Sequence, residues 1–492
     1  MRKRRWKVVR LKRSVATAPE ANVSGKLGQT PLGRNGSTGP AWWEESKASA
    51  RKRFEALPMP KRNEEDWRFA TLDAIHLGNF QPGGMGQTSP EKLLKRSATP
   101  FPHAARAVFS NDRLIQVEGG EELAKQGVVF ESLGGALKKH PQLLQKYFMT
   151  HPVDLGAQKF AALHAANAEA GVLIYVPKNV ELKVPLVSFH WLDGDESAVF
   201  PHTLIVAEEN AKVTVVDYLG STQMEGKGLA CGVSDLIVGS GAKVDLICFQ
   251  RWGSKVTSFQ LNSTRVEKDG EARSLFVNLG AAYARQESRS TMVGGGARSE
   301  MLGLSVGNDR QEFDQRTLQC HDVPNTWSDL LYKNALDDRS KSIFKGLIRV
   351  APGAAKTDAY QNNRNLLLNP EAEADSMPGL EILNDDVRCT HGATTGQIDR
   401  DQLFYLMARG INPRTGAQLL AHGFFEEVIA RLPDKKIGEE VRSLVAEKFA
   451  SMKTRRSQVD SLEKPLSPSR FDKGDLKEEE ILDVRALQGL GK

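Results

Sequence analysis

The stretch RCTHGATTG, residues 388–396, places one of only four cysteines two residues before a histidine. If the stretch is a strand, side chains alternate between its faces, so Val387, Cys389 and His391 share one face while Arg388 and Thr390 share the other. The backbones of Cys389 and His391 then lie about 7 Å apart, at a rise of roughly 3.3 Å per residue, and both side chains can lean toward one metal ion. A thiolate and an imidazole are two of the four ligands a closed tetrahedral site needs, so the rest must come from elsewhere. On spacing alone the same pair also reads as a small buried thiol beside a histidine hydrogen-bonded in the turn before Gly392.

Other chemistry is sparse. Cys320 and His321 in LQCHDV are adjacent, would point to opposite faces of a strand and cannot share a metal; a buried cysteine beside a surface or turn histidine is expected. GSTQMEGKG has one residue too many for a phosphate loop, and a glycine where the Mg²⁺-ligating Ser/Thr belongs. No HExxH or CxxC occurs. Cys231, Cys248, Cys320 and Cys389 form no dense framework, as expected of free thiols in a reducing, cytoplasmic setting.

The formal charge of +6 is concentrated in the opening MRKRRWKVVRLKR, and the remainder is close to neutral, which removes the footprint of a dedicated nucleic-acid binder. That arm reads as a disordered tail; as a transit segment it would place the protein in a plastid stroma instead. No apolar run reaches the roughly 18 residues needed to cross a bilayer, so no membrane partner is expected.

The elements that must position Cys389 and His391 announce themselves by a repeat. VPKNVELKV, VAEENAKVTVV, VGSGAKVDLI, VEKDGEARSLF, VGGGARSEML, VPNTWSDLL and VAPGAAKTDAY begin at Val176, Val206, Val238, Val266, Val293, Val323 and Val350, at intervals of 30, 32, 28, 27, 30 and 27 residues. A period in this range belongs to a solenoid, and strand–turn–strand units without a 3.6-residue pattern predict a parallel β-helix. Val213, Val215, Val244, Leu246 and Cys248 are expected to face inward, which makes Cys248 core. One further period past Val350 reaches about residue 380, so Cys389 and His391 fall in the last turn, where the stack must be capped or paired with another chain.

Around the solenoid the pattern is helical. Residues 41–165 read as an N-terminal helical domain, with Trp43, Ala50, Phe54 and Leu57 on one face of its first helix. Residues 166–396 are the β-helix, 397–455 a C-terminal helical domain, and 1–40 and 456–492 disordered tails. In the C-terminal domain, Asp399 with Gln402 resembles a capping box, Gly410 ends that helix, and Asn412-Pro413 starts another. Ile437, Val441, Leu444, Val445 and Phe449 mark an apolar face. A β-helix also admits an enzyme that lines a groove with carboxylates to cleave polysaccharide. The acidic pairs Asp337-Asp338 and Asp385-Asp386 are better explained as solvated turns.

Residues 361–411, QNNRNLLLNPEAEADSMPGLEILNDDVRCTHGATTGQIDRDQLFYLMARGI, closely resemble the SufB/SufD family of iron-sulfur cluster assembly proteins, and the likeness extends over about residues 40–450. CTHGATTG looks like the SufD form of this segment. SufB proteins carry a glutamate-histidine-glutamate version and a cysteine in the region matching YQNNRNLLLN, where this chain has Asn362, Asn363 and Asn365. The resemblance implies a right-handed parallel β-helix flanked by helical domains, in a non-catalytic scaffold that pairs with SufB through the β-helix ends and binds the SufC ATPase through its C-terminal helices. It implies that His391 and Cys389 serve cluster assembly at the SufB interface, and that the partner supplies the missing ligands. Phe404, Tyr405 and Arg409 would dock SufC, with Leu403 and Phe404 also packing core. Nothing is expected to be bound permanently: iron or a cluster would be shared transiently with SufB, and ATP would act only through SufC.

Overall fold

The structure, a computed structural model, describes residues 39–452 except 76, 78, 79 and 83–85; the basic arm and the charged C-terminal segment lie outside the described residues. Two long sheets face each other in a parallel β-solenoid of about 8 turns. One sheet runs from Gly171–Val176 to Glu373–Ile382 and the other from Ala105–Ser110 to Val387–Gln397, each gaining a strand per turn in register.

The inward column that closes each turn runs through Val176, Ala207, Val238, Val266, Met292, His321 and Val350, every one buried. Four of the seven repeat valines stand in it. Val206, Val293 and Val323 lie one or two positions off, because the turns between strands differ in length while the ladder keeps its register. Val213 pairs with Val244 and Val215 with Leu246, all buried and inward, and Cys248 beside Asp217 is core as expected.

A second column sets the corners. Asn179, Asn210, Gly241, Asp269, Gly296, Asn325 and Lys356 all have left-handed backbone, with φ between +55° and +79°. Their amides donate into the following turn, as from Asn210 to Ser240 (2.9 Å) and from Lys356 to Asp386 (2.6 Å). Glycine, asparagine and aspartate tolerate this conformation and lysine does not. Lys356→Gly is therefore expected to raise the unfolding free energy by about 0.5–1 kcal/mol, after allowing for the extra freedom of glycine in the unfolded chain. Urea denaturation would show it as a higher midpoint; a lower one would mean that the exposed Lys356 side chain makes a contact worth more than the strain.

The N-terminal segment carries the expected helices and, besides them, strands that the helical reading did not include. It holds the helices Ala41–Ala56 and Gln158–Asn167, but Ala105–Ser110 pairs with Leu186–Leu192 and Val129–Ser132 with Gly171–Val176. These strands start both sheets. ARAVFS is buried at all but one position, so it shows no alternation, and at six residues it is too short for periodicity to reveal. A hairpin return, Arg113–Gly119, covers the outer edge of one sheet and Val129–Ser132 that of the other, which seals this end of the stack.

The same segment also lies across the outer face of the first sheet. Phe160 stacks on Phe259 with ring centroids 3.5 Å apart, and Lys159 Nζ donates to the carbonyls of Phe54 (2.7 Å) and Leu57 (2.6 Å), closing the end of the first helix. Beside them is a buried ionic network. Arg285 donates to Glu287 (2.7 Å), to Asp314 (2.6 Å) and to the carbonyls of Asp66 (3.0 Å) and Leu155 (2.9 Å), with its guanidinium 3.8 Å from the Trp67 ring centre. Arg316 donates to Asp314 (2.5 Å) and to the Arg68 carbonyl (3.2 Å). Burial would raise the Asp314 carboxyl, but Arg285 and Arg316 outweigh it and hold the group below its ordinary range.

The helices Pro413–Ile429 and Lys435–Ser451 cover the outer face of the second sheet. Ala421, Phe425, Val428, Val441 and Val445 join Val216, Ile247, Phe249, Leu302 and Leu304 in one cluster. Asn412 caps the first of these helices through the Thr415 amide (2.9 Å), and the five apolar residues expected on the last helix are all buried.

Candidate functional site at the open end of the solenoid

The strand Val387–Gln397 pairs with Thr357–Leu367 so that Cys389 follows Ala359, His391 follows Gln361, Ala393 follows Asn363 and Thr395 follows Asn365. Ladder neighbours in a parallel sheet point to the same side. Because Ala359, Gln361, Asn363 and Asn365 are buried inside the solenoid, Cys389 and His391 also face its interior, in a layer that no later turn covers. The facing wall is the strand Glu373–Ile382, whose Ser376, Pro378, Leu380 and Ile382 extend the inward rows of Phe344, Gly346, Ile348 and Val350. Leu380 and Ile382 are 37% and 39% exposed, and the next residue, Leu383, is 55% exposed. This end of the molecule is a cross-section of the core.

Within that layer Cys389 is half-buried against the cluster of Ile348, Val350, Ala354 and Ala359, and His391 is exposed. Burial, with Asp358 nearby, pushes the Cys389 thiol above its ordinary value despite a backbone hydrogen bond to Ala359. The sulfur is thus a thiol at neutral pH. Among the described residues no group of three or more His, Cys, Asp or Glu side chains could hold a metal ion.

Beneath the layer the interior is polar. Asn334 donates to Asn365 (2.8 Å), Asn365 donates to Asn363 (2.9 Å), and Ser376 donates to Asn363 (2.6 Å) from the opposite wall. Gln361, which nothing in its type or spacing singled out, is fully buried with neither side-chain oxygen nor nitrogen paired.

Directly after Gln397 the chain turns into the helix Arg400–Ala408, which Asp399 caps through the amides of Asp401 (2.8 Å) and Gln402 (3.1 Å). Leu403 is buried against Gly416, but Phe404, expected to share that packing, is 71% exposed, because a helix advances by 100° per residue and the adjacent position faces solvent. Tyr405 is exposed too; Arg409 donates to its hydroxyl (3.0 Å), with the guanidinium 5.1 Å from the ring centre. Leu419 on the next helix is exposed as well.

His321, His164 and His202 are buried away from this layer. His321 is not at the surface: it occupies the closing column, bonded to the hydroxyls of Thr326 and Ser328 (2.8 Å each), and burial lowers it to about 4. Cys320, on the opposite face, lies apart from it as expected. Under the helix Gln158–Asn167, His164 Nδ1 donates to the Cys231 carbonyl (2.7 Å), so its Nε2 accepts from His202 Nδ1 (3.1 Å). This leaves His202 Nε2 bare, 3.5 Å from Asp235, whose carboxyl burial raises to about 7.

Two family descriptions match this chain: "SUF system FeS cluster assembly, SufBD core domain" over residues 190–424, and "SufBD protein N-terminal region" over residues 38–187. The chain is 29% identical over 428 residues to the iron-sulfur cluster assembly protein SufD of Bacillus subtilis, covering 83% of this chain and 94% of that protein. It is 29% identical over 413 residues to an iron-sulfur cluster assembly SufBD family protein of Staphylococcus epidermidis, and 26% identical over 404 residues to one of Staphylococcus haemolyticus, each covering 80% of this chain and 86% of the relative. With both family descriptions placed end to end over the solenoid and its N-terminal seal, the chain belongs to the SufBD family of the SUF iron-sulfur cluster assembly system.

Proposed function

We propose that this chain is a SufD-type, non-catalytic scaffold that pairs with a SufB-type partner through the open end of its solenoid and assembles iron-sulfur clusters at that junction. One observation carries the reading: Cys389 and His391 face the interior of the last, uncovered layer and supply half of a tetrahedral set. A second solenoid stacked on this end would bury Leu380 and Ile382 and bring its own ligands against the pair. The absence of a cysteine among Asn362, Asn363 and Asn365 fits the SufD role rather than that of the subunit carrying the assembly cysteine.

In this reading iron and sulfide are cargo. The imidazole of His391 offers one nitrogen lone pair, and Cys389 gives up its proton as the cation binds, so loading releases a proton. The exposed Phe404, Tyr405 and Arg409 present a surface suited to an ATPase of the SufC type, on the helix that begins three residues beyond the end of the site strand. No resident cofactor is assigned, and ATP would act through that partner alone. A cytoplasmic setting fits the free cysteines.

The test is maturation of an iron-sulfur reporter enzyme in cells that depend on this protein. His391→Ala is expected to cut reporter activity at least about tenfold while the variant still co-purifies with its SufB- and SufC-type partners. Unchanged activity would make the motif structural.

A further inference from the structure

Gln361 is out of place by any packing argument. The column beneath it is Val215, Leu246, Ser274, Met301 and Leu330, mostly apolar, and then within two turns the same column becomes Gln361 and His391. A buried carboxamide ordinarily pairs both its oxygen and its nitrogen. Here neither is paired, although the residue is 0% exposed. Across the interior sits Gly346, and a Cβ there would come within 2.5 Å of Gln361 Oε1 and 2.7 Å of Nε2, so the facing wall gives this carboxamide room. On its inner side Gln361 meets Leu330, which offers no side-chain hydrogen bond; on its outer side the next residue in register is His391.

We propose that Gln361 is the positioning residue of His391: its carboxamide oxygen accepts the N–H of one imidazole nitrogen and so leaves the other nitrogen, with its lone pair, aimed out of the open end. Neighbouring strands stand about 4.8 Å apart, so in-register side chains stack and one rotamer step of either residue closes the bond. The logic is general for histidines that ligate metals. The nitrogen away from the metal donates to a fixed acceptor, which sets the tautomer and the ring orientation. The inference rests on the proposed role of His391 and adds to it the residue that prepares the ring.

Selective ¹⁵N-histidine labelling of the full-length chain, with His391→Ala used to assign the resonances, reads the tautomer well above the usual imidazole titration range. In the unaltered protein one tautomer of His391 should dominate. Gln361→Leu should return the ring to a mixture and lower reporter maturation about tenfold, with the thermal midpoint and partner co-purification preserved. Gln361→Glu, which keeps an acceptor of the same length, should retain the tautomer, and Gln361→Met, which keeps the length but loses the amide oxygen, stands in if the leucine variant does not fold. A tautomer indifferent to loss of the acceptor, a preference lost in the glutamate variant, or a lost preference with full maturation overturns the assignment. If His391→Ala itself leaves maturation intact, the interface reading falls, and the tautomer still decides whether Gln361 holds the ring.

Discussion

Replacement of Asp314 by alanine is expected to lower the unfolding free energy by about 3–5 kcal/mol, the usual consequence of removing one partner from a buried ionic group. The size follows from what remains. Asp314 is fully buried, accepts from Arg285, Arg316 and the Tyr283 hydroxyl, and carries the negative charge that both guanidiniums share. Without it Arg285 keeps Glu287, but Arg316 loses its one ion-pair partner among the described residues. These arginines also donate to the carbonyls of Asp66, Arg68 and Leu155, so the loss loosens the N-terminal segment from the sheet as well as costing global stability. Denaturant titration measures the first effect and limited proteolysis within residues 56–75 the second. A change under 1 kcal/mol would show that water enters and solvates the arginines, contrary to tight packing.

At the opposite end, Leu380→Lys combined with Ile382→Lys should leave the isolated chain as stable as before and weaken its pairing with a SufB-type partner by at least about 30-fold, the equivalent of one 2 kcal/mol hot spot. Both residues point along the buried rows of Ile348 and Val350, yet each is more than a third exposed, so lysine there still reaches water in the free chain. In a stacked complex the same lysines would be buried against apolar surface with no carboxylate assigned to meet them. Co-purification and analytical ultracentrifugation of the mixed subunits test this. Undiminished pairing would place the junction elsewhere.

Much of this arrangement was legible in the residues. The valine period gave the solenoid, its extension past Val350 placed Cys389 and His391 in the last turn, and the caps at Asp399 and Asn412 were found where their chemistry put them. Three things were not legible, each for a physical reason. Hydropathy cannot tell that Ala207, Met292 and His321 close the core column while Val293 and Val323 sit just beyond it, because register is set by strand pairing and turn length is free to vary. Ala105–Ser110 is buried on both faces and too short to show a period. Arg285, Glu287, Asp314 and Arg316 alternate with polar neighbours in a way that reads as a solvated strand face, and only the covering segment from the far end of the sequence turns that face into an interior.

The sealed start and bare finish of the stack also give the molecule a mechanical direction. Every inner strand is stitched to two neighbours, but Val387–Gln397 is stitched to one, and only two residues separate it from the helix that bears Phe404 and Tyr405. A sideways tug on that helix would load the seam at Gln397 first and open it stitch by stitch toward His391, as a zipper runs from its tab, whereas the interior turns would resist the same load from both sides at once.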